Sequence, residues 1–265
     1  MLEMSYSSRQ LSTADSLPTT GLAPLFDILS KRVNISVLME TAAVTIIAIA
    51  AIKVFSASSI FKHTWFVTPA ILIAAALIPT AINKRDFARI GFSSKQIRHS
   101  LVLLGWACIV TFPLMFCGLW LMRYWGLVPL RAVMPPVQGW FSWLFYQFMY
   151  VAVTEELFFR GYVQNNILKS TSTLPQEQIV GWGLPHHRKI SGLSGLKPTI
   201  LSIIISAACF AAAHTIVQGE LMSVLTFLPG LALGWLFVRT RSLLAPILFH
   251  GLANVSYLCV VAMLV

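Results

Sequence analysis

The sequence predicts an all-α protein, a polytopic bundle of seven or eight transmembrane helices. Two observations lead to this fold class. The 265 residues are 57% hydrophobic and only 11% charged, with a mean hydropathy of +0.78, which is far from the composition of a soluble globular domain. Several apolar stretches also reach the roughly 17–25 residues that a helix needs to cross a bilayer core of about 30 Å.

The chain divides into a polar N-terminal tail, residues 1–35, and a transmembrane domain, residues 36–265. The tail is rich in Ser and Thr and lacks the apolar stretch of a signal peptide. The predicted spans are 36–52, 64–82, 100–122, 140–168, 199–217, 221–238 and 243–264.

The fourth predicted span, 140–168, is unusually long. As one α-helix it would measure about 43 Å, which exceeds the hydrocarbon core. It therefore either tilts, projects from the membrane, or begins with an interfacial piece around Trp140 to Tyr150, where aromatic residues are dense. Dividing it into two spans would raise the total to eight.

The basic residues predict an orientation for seven spans. Of the 19 Lys and Arg residues, fourteen lie in the tail and in the loops on its side of the membrane, and four lie on the other side. Under the positive-inside rule this places the N-terminus in the cytoplasm. The net charge of +10 is explained by loop orientation and anionic lipid, so we expect membrane lipid as a partner and no nucleic acid.

Three charged residues interrupt the fourth span. Glu155, Glu156 and Arg160 lie in "TEELFFRG", between long apolar runs. Each carboxylate near the centre of a membrane helix costs about 2.5–3.5 kcal/mol, so we expect a strong partner or a function. Glu156 and Arg160 are four residues apart and can form an ion pair, whereas Glu155 has no basic residue at helical spacing. The spacing thus favours a structural Glu156 and a reactive Glu155.

Two further apolar helices carry polar residues, each four positions from another motif residue. Phe210 and His214 lie in "CFAAAHT" on the fifth span, and His250 and Asn254 lie in "LFHGLANVSY" on the last. We expect the two histidines, Asn254 and the glutamates to lie around one water-containing pocket within the bundle. Counted from the predicted span ends, His214 and His250 lie at different depths, so convergence requires tilted helices, a broken helix or shifted helix ends.

These three motifs, "EELFFRG", "FAAAH" and "HGLAN", resemble a known family. They match the patterns EExxxR, FxxxH and HxxxN of the CAAX prenyl-protease and bacteriocin-processing (Abi) family of intramembrane proteases, in the same order. The resemblance covers residues of about 140–260, the protease-like core of the transmembrane domain. It implies an intramembrane endopeptidase that hydrolyses a peptide bond of a membrane-associated protein or peptide. We therefore expect an integral membrane protein of a bacterial inner membrane.

The resemblance also implies roles for the motif residues. Glu155 would be the base that activates water, and His214 would hold and polarise that water. His250 and Asn254 would stabilise the oxyanion of the tetrahedral intermediate. Supporting roles would fall to the remaining motif residues, Glu156, Arg160 and Phe210.

A zinc site is the main mechanistic alternative to metal-free catalysis. His214, His250 and either Glu155 or Glu156 could supply the three protein ligands of a catalytic zinc. However, the sequence has no HExxH pair on one helix. Asn254 also suits an oxyanion donor better than a zinc ligand, so we expect no cofactor.

Two functions of other classes compete with hydrolysis. A proton-coupled transporter could use buried carboxylates as a relay, but such proteins commonly show inverted repeats, and the sequence shows no matching halves. A non-catalytic membrane immunity or scaffold protein of the same family could retain the pocket as structure alone. Because every polar position of the three motifs is filled, the sequence favours the enzyme.

Overall fold

A computed structural model of the protein describes residues 34–58, 66–85, 97–127, 139–171 and 193–264. Within these ranges the chain forms seven helices and no strand, which confirms the all-α prediction. Almost all of the predicted N-terminal tail lies outside the described residues. The helices are α1 Ile35–Ala57, α2 Val67–Ile82, α3 Ile97–Tyr124, α4 140–171, α5 Leu193–Gln218, α6 Leu221–Thr240 and α7 Leu244–Leu264.

Each predicted span corresponds to one of these helices, but several helices extend beyond the apolar run that predicts them. The largest differences are at the end of α1, which reaches Ala57, and at the start of α5, which begins at Leu193. Backbone hydrogen bonding continues into residues that hydropathy does not assign to the membrane, so a span and a helix need not end together.

Five helices are long and apolar enough to cross a membrane: α1, α3, α5, α6 and α7, with Pro198–Gln218 as the apolar part of α5. The helix α2 is apolar but has only 16 residues. The helix α4 carries the charged motif and is helical throughout 140–171. The protein is therefore an integral membrane protein with several spans, and the total of seven or eight crossings stays a prediction.

The helix α4 occupies the centre of the bundle, where it contacts α1, α2, α5, α6 and α7. It is not a uniform α-helix, because Tyr146–Ala152 and Leu157–Gln164 are π-helical and enclose one α-helical turn, Val153–Glu156. Every residue of the second π-helical segment is buried. π-Helical turns are rare in proteins, and those that occur are often found at functional sites. The two glutamates thus lie on a short α-helical turn between two irregular segments.

Apolar packing holds the bundle together in two clusters. The first joins α4 to α1, α2 and α5 and includes the buried rings of Phe158 and Phe159. The second joins α3, α6 and α7 around Leu236 and Phe249, with the Phe112 ring stacked on Phe249 at a centroid distance of 5.8 Å. Large apolar side chains also cover the outer faces of α1 and α3, as expected for helices that contact lipid.

Two hydrogen bonds between helix ends show that α1 runs antiparallel to α4 and parallel to α5. The Asn34 amide donates to the Ser170 carbonyl, which places the start of α1 beside the end of α4. At the opposite end, Nζ of Lys53 donates to the Val217 carbonyl, so α1 and α5 both end there. This arrangement agrees with the alternating connections of the predicted topology.

A polar network fixes α1, α2 and α4 to one another away from the motifs. The Glu40 carboxylate accepts two hydrogen bonds from the Arg85 guanidinium, at 3.0 and 2.7 Å, and one from the Tyr162 hydroxyl at 3.0 Å. Nδ2 of Asn83 donates to the same carboxylate. Four polar groups are thereby satisfied at the edge of the bundle, and the position of α4 is fixed relative to the first two helices.

Candidate active site

The structure brings the three motifs together around the Glu155 carboxylate. Its Oε2 atom lies 3.7 Å from Nε2 of His214 and 3.8 Å from Nε2 of His250. These separations are too long for direct hydrogen bonds, and Oε2 of Glu155 is buried without a hydrogen-bond partner among the described residues. An unsatisfied carboxylate oxygen therefore lies where the three motifs meet. The convergence that the sequence predicts is therefore present in the fold.

The side chains where the motifs meet are mostly buried. The side chains of Glu155 and His214 are 15% and 20% exposed, whereas that of His250 is 6% exposed. The exposed part of Glu155 does not include Oε2, which is buried between the two histidines.

The His214 ring points back along α5, toward the preceding turn. Its Nδ1 atom lies 3.0 Å from the Phe210 carbonyl oxygen, one turn earlier in α5, so the ring leans back toward the start of the helix. A carbonyl oxygen only accepts hydrogen bonds, so Nδ1 carries the proton of the neutral ring. Nε2 of neutral His214 is then an acceptor that faces the Glu155 carboxylate and any water held there.

The Glu156 carboxylate links α4 to α7. Its Oε1 atom lies 3.2 Å from Nη1 of Arg160 and 2.8 Å from Nδ1 of His250. The ion pair predicted from the spacing of four residues is present, and both of its side chains are fully buried. The contact with His250 was not predicted, because it joins residues 94 positions apart. Glu156 therefore fixes the orientation of the His250 ring, with Nε2 toward Glu155.

Arg160 has contacts beyond the Glu156 carboxylate, although its Nε is buried without a hydrogen-bond partner among the described residues. Its Nη2 donates to the Gly230 carbonyl of α6 at 3.2 Å, and its guanidinium carbon lies 4.6 Å from the centre of the Phe210 ring. At Gly230 the helices approach so closely that an added Cβ would lie 3.2 Å from the Cβ of Ala207. The glycine lets α5 and α6 approach each other closely beside the buried arginine.

The Phe210 ring is an apolar surface that contacts both histidines and the Arg160 guanidinium. Its ring centroid lies 4.3 Å from that of His214 and 5.7 Å from that of His250, with the second pair edge-to-face. The ring of Phe159 packs edge-to-face on it at 5.2 Å. Phe210 is 3% exposed. It therefore positions both histidines and the guanidinium without supplying a polar group of its own.

Asn254 lies on α7 one turn beyond His250, and its Nδ2 donates to Oε1 of Gln147 at 2.8 Å. Gln147 belongs to the first π-helical segment of α4 and to none of the three motifs. The sequence contains no local signal for this contact, because the two amides are 107 residues apart. It is the polar contact of the candidate site that sequence reasoning missed most completely.

The atoms that could bind a zinc ion are spaced more widely than the ligands of a tetrahedral zinc site. In a tetrahedral site with bonds of about 2.1 Å, neighbouring ligand atoms lie about 3.4 Å apart, which is shorter than the two separations measured from Glu155. Within the part of the chain that the structure describes, no group of three His, Cys, Asp or Glu side chains is arranged to hold a metal ion. We therefore derive no chemical step through a metal.

Comparison with known protein families shows what the helices that carry the three motifs are similar to. Residues 137–256, which include α4, α5, α6 and most of α7, match the family described as type II CAAX prenyl endopeptidase Rce1-like. This part of the chain is similar to the Rce1-like CAAX endopeptidases. The Rce1-like match contains all the predicted site residues and confirms the family that the three motifs indicate. Comparisons with curated proteins and with solved structures gave no match. The protein is thus a membrane protein related to CAAX endopeptidases.

Proposed function

We propose that the protein is an intramembrane endopeptidase that hydrolyses a peptide bond of a membrane-associated protein or peptide with a water activated by Glu155. The observation that supports this most strongly is the approach of Glu155 Oε2 to Nε2 of both His214 and His250, at 3.7 and 3.8 Å. Glu155 as base, His214 as acceptor and His250 as donor are the kinds of group that peptide hydrolysis requires, and here they lie together at a mostly buried place.

In the proposed reaction, the Glu155 carboxylate takes a proton from the water while Nε2 of His214 holds the second hydrogen. The hydroxide attacks the carbonyl carbon of the scissile bond, and the carbonyl oxygen becomes an oxyanion. Hydrogen bonds from His250 and Asn254 would stabilise that oxyanion. Protonated Glu155 then returns its proton to the leaving amine as the carbon–nitrogen bond breaks.

For His250 to donate from Nε2 while Nδ1 donates to Glu156, its ring must carry both protons. The charges of the buried site favour this state. Glu155 and Glu156 contribute two negative charges and Arg160 one positive charge, so an imidazolium at His250 makes the group neutral. Neutrality matters here because an unbalanced charge inside a membrane protein is costly.

We further propose that the N-terminus lies in the cytoplasm and that the protein resides in a bacterial inner membrane. The distribution of Lys and Arg residues supports the orientation, with fourteen on the predicted cytoplasmic side and four on the other. The expected partners are membrane lipid and a protein or peptide substrate. No cofactor is proposed.

A comparison of protein termini tests this function and does not require a known substrate. Membrane and soluble fractions of cells that produce the wild-type chain or Glu155→Gln are analysed by mass spectrometry for new N- and C-termini. We expect termini that depend on the wild-type chain and disappear with Glu155→Gln. Glu220→Gln serves as the matched control, because Glu220 is an exposed residue that precedes α6, and it should give the wild-type pattern. Identical termini in all three samples would favour a non-catalytic membrane protein.

A further inference from the structure

The contact between Gln147 and Asn254 is a polar link from the first π-helical segment of α4 to the last helix. Oε1 of Gln147 accepts a hydrogen bond of 2.8 Å from Nδ2 of Asn254, and both side chains are partly buried. Residues Tyr146–Ala152 pack against α7. Gln147 therefore belongs to the element that supports the helix carrying His250 and Asn254.

Close packing next to this contact fixes how the two helices align. The Phe148 ring lies directly against Gly251, and a Cβ atom added to Gly251 would overlap the ring. Gly251 is one residue after His250 and three before Asn254 in α7. The absence of a side chain at Gly251 thus lets the π-helical segment approach closely enough for Gln147 to reach Asn254.

The orientation of the asparagine amide decides what it can do. An amide that turns by 180° exchanges its NH₂ donor and its oxygen acceptor, and only the NH₂ group can stabilise an oxyanion. Because Oε1 of Gln147 accepts one N–H of Asn254, it selects the orientation that keeps the NH₂ group in a defined place. The second N–H of the same nitrogen is then available for another acceptor.

We propose that Gln147 is a positioning residue for the peptidase reaction, holding the Asn254 amide in the orientation that donates to the developing oxyanion. This inference rests on the proposed function. Gln147 acts through Asn254 and does not contact the reacting atoms. The π-helical segment Tyr146–Ala152 is then the part of α4 that prepares the oxyanion site, and the turn Val153–Glu156 is the part that carries the base.

A double-mutant cycle on turnover tests the proposal. The variants are Gln147→Met, which keeps the length of the side chain but removes the amide acceptor, Asn254→Ala, and the two combined. The probe is a synthetic peptide spanning a cleavage site mapped by the comparison of termini, assayed with the purified full-length chain in lipid vesicles. Met149→Leu, an exposed position of the same segment, is the matched control and should behave as the wild type.

We expect Asn254→Ala to lower kcat about 100-fold, as the loss of one oxyanion donor does elsewhere. Gln147→Met should lower kcat about tenfold with KM changed by less than about twofold, since it disturbs an interaction made only in the transition state. The double variant should lose no more than Asn254→Ala alone, because the two residues act as one unit. Should Gln147→Met not fold, Gln147→Asn withdraws the amide by one methylene and should show the same non-additive loss.

Three results would overturn the proposal: an unchanged kcat for Gln147→Met, a change confined to KM, or a double variant in which the two losses multiply. Any of these, together with inactive Glu155→Gln, removes the role of Gln147 and leaves the peptidase intact. If Glu155→Gln turns over normally, or if no wild-type-dependent cleavage site exists, the proposed function itself fails and the inference fails with it.

Discussion

The Glu156 carboxylate lies 2.8 Å from Nδ1 of His250, through the same oxygen that contacts Arg160 at 3.2 Å. One buried acceptor thus serves an arginine on its own helix and a histidine on the last helix. Because His250 turns its other nitrogen toward Glu155, the contact makes the geometry of the candidate site depend on a residue that need not touch substrate.

The buried pair of Glu156 and Arg160 predicts a loss of stability when either charge is removed. Glu156→Gln or Arg160→Met leaves one uncompensated charge inside the bundle, which typically costs about 3–5 kcal/mol. We expect a lower yield and a lower Tm in detergent micelles, together with reduced turnover. The exposed Glu220→Gln change should affect neither quantity. An unchanged Tm and yield for both buried variants would disprove the structural role.

The position of Phe210 between the site residues predicts an effect on activity beyond the effect on stability. Phe210→Leu keeps an apolar side chain but removes the ring that lies against the Arg160 guanidinium, an interaction worth up to about 2 kcal/mol when desolvated. We expect kcat to fall about tenfold. Phe112→Leu, which removes a stacked ring from the other core cluster, is the control for stability alone. Equal activity of the two variants would contradict the prediction.

The contact of Gly251 with the Phe148 ring predicts that even one methyl group is harmful at this position. Gly251→Ala should lower both Tm and kcat, because the ring must move and the first π-helical segment must shift away from α7. Phe148→Ala in the same chain should restore part of the Tm. Gly118→Ala tests open space on α3, where no atom lies within 4 Å, and should be neutral. A neutral Gly251→Ala would show that the close approach is not needed.

Metal-free hydrolysis predicts that chelators leave the activity intact. Prolonged treatment of the purified protein with a strong chelator should change kcat by less than about twofold. A zinc peptidase treated in parallel confirms that the chelator works in the same vesicles. Inhibition that added zinc reverses would favour the alternative in which His214, His250 and a glutamate bind the metal.

The sequence predicts the helices and the ion pair well because both depend on local properties. An apolar run long enough for a membrane forms a helix whatever its neighbours are, since a lipid environment leaves no other way to satisfy the backbone. Glu156 and Arg160 share a helix face because of their spacing alone. Their contact at 3.2 Å follows directly from that spacing.

Contacts that depend on packing between distant helices could not be predicted in this way. Oε1 of Glu156 pairs with His250 only because α4 and α7 meet at that depth, and the contact of Gln147 with Asn254 requires the closeness that Gly251 permits. The two π-helical segments of α4 also leave no mark in hydropathy, because they change the helix turn and not its composition. Known family motifs indicated which residues converge, although not how they contact one another.

The most direct test of the account is the single-turnover rate of purified Glu155→Gln on the mapped peptide, measured beside the wild type and Glu220→Gln in the same vesicles. Glutamine has nearly the same size but cannot accept the proton of water as a carboxylate does. We expect a fold and a Tm close to those of the wild type and a rate lower by at least about 10³-fold, while Glu220→Gln retains full activity. A Glu155→Gln protein that cleaves the peptide at the wild-type rate would contradict the central claim.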